Sequence, residues 1–307
     1  MNNRPAGPDR QDFRFFERLR VRWAEVDMQK IVFNGHYLMY FDTAVASYWR
    51  ALAMPYHDTM AALGGDLYVR KATLEYEGSA RYDDQCDVGL RCARIGTSSM
   101  VFVAAVFRGE QRLVHGELVY VFADPVSQTS RPVPPMLREV LLGYEQGQTM
   151  VSLQQGKWPE LRDEIRALRQ SVFVDELAWP AVWVEDPSDP AATHVVLRNR
   201  LGQVLACARF SASDDGVADI GRLAVHPAVR GSGLGRGLLA GLEEAAAARL
   251  VTQLRMQAQA SALSFCERLG WVPHGEVFVE NGLRHRTLLR SLVTDGVRPQ
   301  AVVSTNS

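Results

Sequence analysis

Residues 35–52 read G-H-Y-L-M-Y-F-D-T-A-V-A-S-Y-W-R-A-L, and at helical period they are apolar nearly all the way round. A helix without a polar stripe has to be wrapped by something. The residues that follow provide a wrapper. Y-V-R-K-A-T-L-E-Y-E-G, C-D-V-G-L-R-C-A-R-I-G, S-M-V-F-V-A-A-V-F-R-G and R-L-V-H-G-E-L-V-Y-V-F-A alternate as strands do, and R-G-E-Q-R reads as a hairpin turn between the last two. F-E-R-L-R-V-R-W, ahead of the helix, has the same pattern. A curled antiparallel sheet around one central helix accounts for all of these segments.

The pattern stops at R-P-V-P-P-M-L-R-E-V-L-L-G-Y-E, a proline-led short helix, and G-Y-E-Q-G-Q-T-M reads as a linker. From about Trp158 the order becomes helix, strands, glycine turn, helix, strand, helix, strand, which is the order of an α/β unit. The expectation is an α+β chain of two domains, 1–143 and 151–292, with a linker at 144–150 and a disordered tail at 293–307. With 307 residues, a net charge of −1 and no basic block, the chain has no marks of a nucleic-acid binder. It shows no membrane-length apolar run and no apolar segment at its start, so no membrane partner and a cytoplasmic location are expected. Cys86, Cys92, Cys207 and Cys266 lack CxxC spacing and read as reduced core thiols, with no metal site.

Residues 229–238, V-R-G-S-G-L-G-R-G-L, stand between the apolar strand I-G-R-L-A-V-H-P and a helix. Such a turn exposes unpaired N–H groups at a positive helix end, a cradle for an anion. A dinucleotide fingerprint fails because Arg236 or Leu238 falls where its last glycine belongs, and a P-loop fails for want of its lysine. The spacing that fits is R-x-x-G-x-G over Arg230, Gly231, Ser232, Gly233, Leu234 and Gly235. This resembles the pyrophosphate signature of the GNAT acetyltransferases. Together with A-S-A-L-S-F-C-E-R-L-G-W, L-R-Q-S-V-F-V-D-E, E-D-P-S-D-P-A-A-T-H and V-E-N-G-L-R-H, it makes residues 151–292 similar to the ElaA-like group. The resemblance implies acetyl-CoA or another acyl-CoA as substrate. Leu223 and Val225 would line its arm and residues Arg230 to Arg236 its pyrophosphate, with an amine as acceptor. Where many relatives have a tyrosine that protonates the leaving thiolate, Cys266 stands, either as a proton donor or as a small buried apolar residue. The amine acceptor also needs a group to take its proton, and Glu176, Asp186, Asp189, Asp219 and His285 are the candidates for that base. Arg222 would bind an acidic acceptor or pair with one of these carboxylates.

R-V-R-W-A-E-V-D-M-Q-K-I-V-F-N-G-H-Y-L-M-Y-F-D-T-A and S-A-R-Y-D-D-Q-C-D-V resemble the hotdog-fold thioesterases of the 4-hydroxybenzoyl-CoA thioesterase/YbgC type, over about residues 15–124. Asp27 falls on that family's catalytic carboxylate, which activates water or attacks the acyl carbon itself. His36 would orient Asp27 or the substrate, with Asn34 and Tyr37 also at the substrate. Lys30 stands where the family often has glycine. The resemblance also implies a homodimer or homotetramer. Three readings follow. One is a bifunctional acyl-CoA thioesterase and N-acyltransferase. The second is a thioesterase whose GNAT domain only senses acetyl-CoA, and the third is an acyltransferase on a hotdog scaffold.

Overall fold

The computed structural model describes residues 7–280 and 282–292, so the tail expected at 293–307 lies outside the described residues. The chain divides into two compact units with the main boundary between Val151 and Ser152, and Asn199–Leu201 groups with the first.

The N-terminal unit is the expected sheet and helix. β1 (Phe15–Arg20), β2 (Asp66–Tyr76), β3 (Gln85–Ile95), β4 (Ser99–Arg108) and β5 (Gln111–Ala123) form one antiparallel sheet in the order β1-β3-β4-β5-β2. The central strands are buried along most of their length, so both sheet faces must be covered. α1 (His36–Ala51) packs on β1, β3 and β4. On the other face lie Phe13 and Phe16, against Ala105 and Phe107. Phe13 sits so close to Gly89 that a Cβ there would strike its ring at 2.6 Å. The helix departs from the expectation in one respect. Tyr37, Tyr40, Phe41, Ala44 and Tyr48 are buried at helical spacing, while Met39, Asp42, Thr43 and Ala46 stay exposed, so one face is not covered by the described residues of this unit.

α2 (Tyr56–Leu63), which the sequence did not announce, leads into β2. α3 (Pro135–Glu145) runs two residues into the stretch read as linker. Tyr144 is buried, and the Glu145 carboxylate accepts from the Tyr48 hydroxyl and from Cys92 N–H at 2.9 Å. Gly143 inside the helix made the segment look like a breaker.

The C-terminal unit holds β6 (Val151–Gly156), α4 (Trp158–Arg169), β7 (Thr193–Asn199), β8 (Val204–Ala212), β9 (Val217–Val225), α5 (Leu234–Ala247), β10 (Gln253–Gln259), α6 (Leu263–Arg268), β11 (Val272–Glu280) and β12 (Leu283–Ser291). Its sheet has the order β11-β12-β10-β9-β8-β7-β6. L-A-C-A in β8 is wholly buried, as a strand covered on both faces should be, and α4 and α5 both pack on β8. α4 brings Trp158, Leu161, Ile165 and Leu168 against Val196, Cys207 and Ala224. It continues as a π-helical turn over Gln170–Glu176. β9 and β10 run parallel and pair only over Val217–Ile220 with Gln253–Met256, although both strands continue. Beyond Ile220 they part. None of the described helices is long and apolar enough to cross a membrane.

Candidate active sites

In the N-terminal unit the two quoted motifs, some fifty residues apart, are tied together by hydrogen bonds. Val21 N–H donates to Asp84 O at 2.9 Å, Asp83 N–H to Val21 O at 3.1 Å and Val32 N–H to Ala80 O at 2.9 Å. Between Val26 and Val32, an isolated bridge, the chain makes a tight turn. Lys30 N–H donates to Asp27 O at 2.9 Å, and Asp27 Oδ1 accepts from Gln29 N–H at 2.8 Å. One oxygen of Asp27 thus caps its own turn, while Oδ2 has no hydrogen-bond partner among the described residues. Lys30 is exposed and adopts φ +62°, the left-handed region where glycine is at ease, and this gives a physical reason for the family's glycine.

His36 opens α1. Its Nδ1 lies 3.3 Å from Met39 Sδ and its ring is edge-on to Phe33, with no hydrogen bond to Asp27. Asn34 is exposed, and its carbonyl accepts from the Tyr76 hydroxyl at 3.2 Å. Tyr37, expected at the substrate, is instead 2% exposed, and its hydroxyl accepts from Ala80 N–H at 2.8 Å. It is a structural tie. Burial pushes its phenol above the ordinary value. Trp23 and Tyr82 meet edge-to-face at 5.6 Å and remain exposed, as do Met28, Phe33 and Met39, so the rim of the loop is apolar.

The residue missed in sequence is Glu25. It is 3% exposed and accepts from Arg22 N–H at 2.8 Å, from Arg22 Nε at 2.6 Å and from the Tyr40 hydroxyl at 2.7 Å. Burial alone would raise its carboxyl, but those bonds and the guanidinium outweigh it and hold the pKa below the ordinary value. Its carbonyl also accepts from Phe33 N–H at 2.9 Å. Glu25 thereby fixes both ends of the Asp27 loop to α1.

In the C-terminal unit the glycine turn leads straight into α5. Gly231 and Gly233 take φ +85° and +91°, which L side chains rarely adopt, and a Cβ at either would meet only open space. Gly233 is the N-cap of α5 without any side-chain cap bond, so the first-turn N–H groups from Leu234 to Arg236 face outward unpaired by side chains. Ser232 Oγ donates to Val229 O at 2.7 Å, which fixes the turn. Arg236 is exposed without an ion-pair or hydrogen-bond partner among the described residues. These donors fit a pyrophosphate. Arg230 is bound otherwise. Its Nη1 and Nη2 each lie 2.6 Å from the Glu176 carboxylate, and its Nε donates to Val225 O at 3.1 Å. Leu223 and Val225 lie on β9 past its last β10 partner.

The acidic candidates are mostly engaged. Asp219 pairs in register with Arg255 below the parting of the strands, with both oxygens on its guanidinium at 2.6 and 2.8 Å. Asp189 is buried on Arg169 at 2.7 Å. Asp186 accepts from Arg222 at 2.7 Å and lies 3.0 Å from Arg209. Burial would raise its carboxyl, but bonds from Ser188 and the two guanidiniums hold it far below the usual carboxylate range. Each of these three carboxylates already has a guanidinium as its partner. His285 differs. Its Nδ1 is 3.0 Å from Leu283 O, and a carbonyl only accepts, so Nδ1 carries a hydrogen there. It lies on β12 opposite Gln259, the last residue of β10, and stacks on Phe278. Cys266 is 4% exposed and burial raises its thiol to about 11. Cys86, Cys92 and Cys207 are likewise unpaired and buried.

Two family models match the chain, "Thioesterase superfamily" over residues 29–115 and "Acetyltransferase (GNAT) domain" over residues 162–288. The first begins just past Asp27, and the second takes in the glycine turn, Cys266 and His285. An Aquifex aeolicus protein named "Putative esterase" is 31% identical over 94 residues, 31% of this chain and 73% of that one. The acyl-CoA thioester hydrolase YbgC of Escherichia coli is 26% identical over 120 residues, 38% of this chain and 87% of that one. Among solved structures, Escherichia coli ElaA is 28% identical, with 46% of this chain and all of that one covered and a TM-score of 0.43. The chain belongs to the thioesterase superfamily through its N-terminal half and carries a GNAT acetyltransferase domain in its C-terminal half, a two-domain acyl-CoA protein.

Proposed function

We propose that the N-terminal half hydrolyses an acyl-CoA thioester and the C-terminal half transfers an acyl group from CoA to an amine. The observation that carries the first activity is the Asp27 carboxylate, held in a turn by one oxygen with the other unbonded, a few residues ahead of α1. As a base, Asp27 takes a proton from water as the water oxygen adds to the acyl carbon. The C–S bond then breaks, and the sulfur leaves with a proton as CoA thiol. The positive end of the α1 dipole is suited to the carbonyl oxygen as it gains charge. Lys30 adds positive charge at the turn, and Phe33 and Met39 offer an apolar surface to the acyl group. The exposed face of α1 and the edge strand β2, exposed along most of its length, support a homo-oligomer in which a second copy covers them.

In the C-terminal half the open first turn of α5 would hold the pyrophosphate, and the unpaired part of β9 would hold the arm. The amine nitrogen attacks the acyl carbon, a C–N bond replaces the C–S bond, His285 Nε2 takes the amine proton and the CoA sulfur is reprotonated. The buried thiol of Cys266, raised to about 11, supports the alternative in which this half binds acetyl-CoA and signals its level.

The test follows free CoA by chromatography for a panel of acyl-CoAs without any amine, for the wild-type protein and Asp27→Ala. Release should fall roughly a hundredfold or more in the variant, the loss expected for a missing base. Equal release by both proteins would make the hotdog half a scaffold.

A further inference from the structure

We propose that the acceptor of the C-terminal site is an amine that also carries a carboxylate, and that Arg222 holds that carboxylate. This rests on reading the C-terminal half as an acyltransferase and names its substrate class.

Arg222 has φ +56° in the middle of a strand, a conformation a long side chain adopts only when its surroundings impose it. The imposing feature is a bulge. From Gly221 to Ala224, β9 spends one residue more than β8 spends between Arg209 and Cys207, so Arg222 and Leu223 lack a register partner there. They also lie past the last β10 pair, at the point where β9 and β10 part. The bulge sends the guanidinium 4.8 Å over the Trp183 ring and puts Nη2 2.7 Å from Asp186. Nε and Nη1 have no partner among the described residues.

The charges around it do not balance. Arg169, Arg209 and Arg222 stand against Asp186 and Asp189, with the guanidiniums 0%, 11% and 11% exposed. Both carboxylates are fully used. Asp189 takes Arg169 and Arg209, and Asp186 takes Arg209, Arg222 and Ser188. Burial pulls Arg209 below its ordinary pKa, and its positive neighbours add to the pull that the two aspartates oppose. The cluster therefore lacks one negative charge, at a planar group with free N–H donors on a residue that stands where the strands part. A single carboxylate supplies that charge, and the guanidinium fork matches its shape. A phosphate would overshoot it.

The experiment uses the full chain with acetyl-CoA and matched amines, phenylalanine beside phenethylamine and lysine beside cadaverine, and detects the N-acetyl products by mass. The carboxylate members should be favoured in kcat/KM by about tenfold or more. Arg222→Gly, which suits the left-handed backbone, should raise their KM by roughly 10–100-fold, the loss of a charged hydrogen bond. The KM for acetyl-CoA and the use of the decarboxylated amines should not change. Arg222→Gln, which keeps bulk over Trp183, should behave alike. Equal use of both members of each pair, or equal damage to both by the variants, overturns the inference and leaves the transferase reading intact. Calorimetry on the CoA-loaded protein separates the two readings. If no product forms but phenylalanine binds and Arg222→Gly abolishes the binding, the carboxylate site stands and the transferase reading falls. If neither product nor binding is found, the inference falls too.

Discussion

Around Asp27 the chain is held by side chains, whereas at the Gly231–Gly235 turn the backbone itself is the binding surface. Glu25, Arg22, Tyr40 and Tyr37 lock the first loop through buried bonds, and a single carboxylate oxygen is left unbonded. The second turn is open space around two left-handed glycines and an uncapped helix start. The two regions should therefore fail differently. The first fails when a supporting side chain is removed, the second when one is added.

The largest effect expected is from adding. Gly233→Ala meets no clash, since nothing lies within 4 Å of the new Cβ, but φ +91° is strained for an L residue. At roughly 1–2 kcal/mol the strain rotates the backbone away and turns its N–H groups from the cradle. The KM for acetyl-CoA in amine acetylation should rise about 10-fold or more. Hydrolysis by the N-terminal half should not change. If both activities fall together, the two sites are not separate.

Removing a support in the first region comes next. Glu25→Gln keeps the shape but loses the charge that Arg22 and Tyr40 serve, at a cost of about 1–2 kcal/mol, read as a lower Tm. Hydrolysis should weaken as the loop loosens. Because the folded Glu25 carboxyl lies below its ordinary value, its contribution to stability is present above about pH 4 and is lost as pH falls through the folded pKa. The variant should lack that part of the acid dependence. Superimposable pH–Tm curves for the two proteins would show that Glu25 is only a space filler.

The same contrast explains what could be read in advance. The hotdog sheet and the GNAT order were legible because strand alternation, helix periodicity and the glycine spacing are local. The R-x-x-G-x-G turn stood out for the same reason, and Asp27 through the resemblance of its loop to the hotdog thioesterases. Glu25 did not, because the hydroxyl that marks it, on Tyr40, comes fifteen residues later and meets it only in three dimensions. Asp186 and Asp219 looked as available as any carboxylate, since nothing local says that Arg222, Arg209 and Arg255 will occupy them. The bulge at Arg222 depends on strand register, which side-chain identity leaves open. Met39 and Ala46 are exposed although the helix is apolar nearly all round, because an apolar residue on a helix does not show which partner covers it.

Glu176 and Arg230 sharpen the comparison, for here a side chain does sit at the backbone site. Their bidentate pair at 2.6 Å occupies the guanidinium that opens the glycine signature. Both groups are more than a third exposed, so solvent screens the pair and its worth is small. Glu176→Gln should free Arg230 for the pyrophosphate and tighten CoA binding about two- to fivefold in a calorimetric titration. The gain should shrink with added salt. Weaker binding in the variant would instead show that Glu176 holds Arg230 in its working position.

The smallest effect is expected at Lys30, a left-handed residue within the side-chain site. Lys30→Gly relieves the strain of φ +62°, worth roughly 1–2 kcal/mol, while the added freedom of glycine in the unfolded chain takes back about 0.5–1 kcal/mol. The net change in Tm should be a small rise. Activity then separates two roles for the lysine. If hydrolysis falls while Tm rises, the ammonium works at the thioester and the strain is kept for its sake. If hydrolysis holds, the lysine is neutral to catalysis at a position glycine fits better. A fall in Tm would mean that the ammonium stabilises the turn by more than its backbone costs.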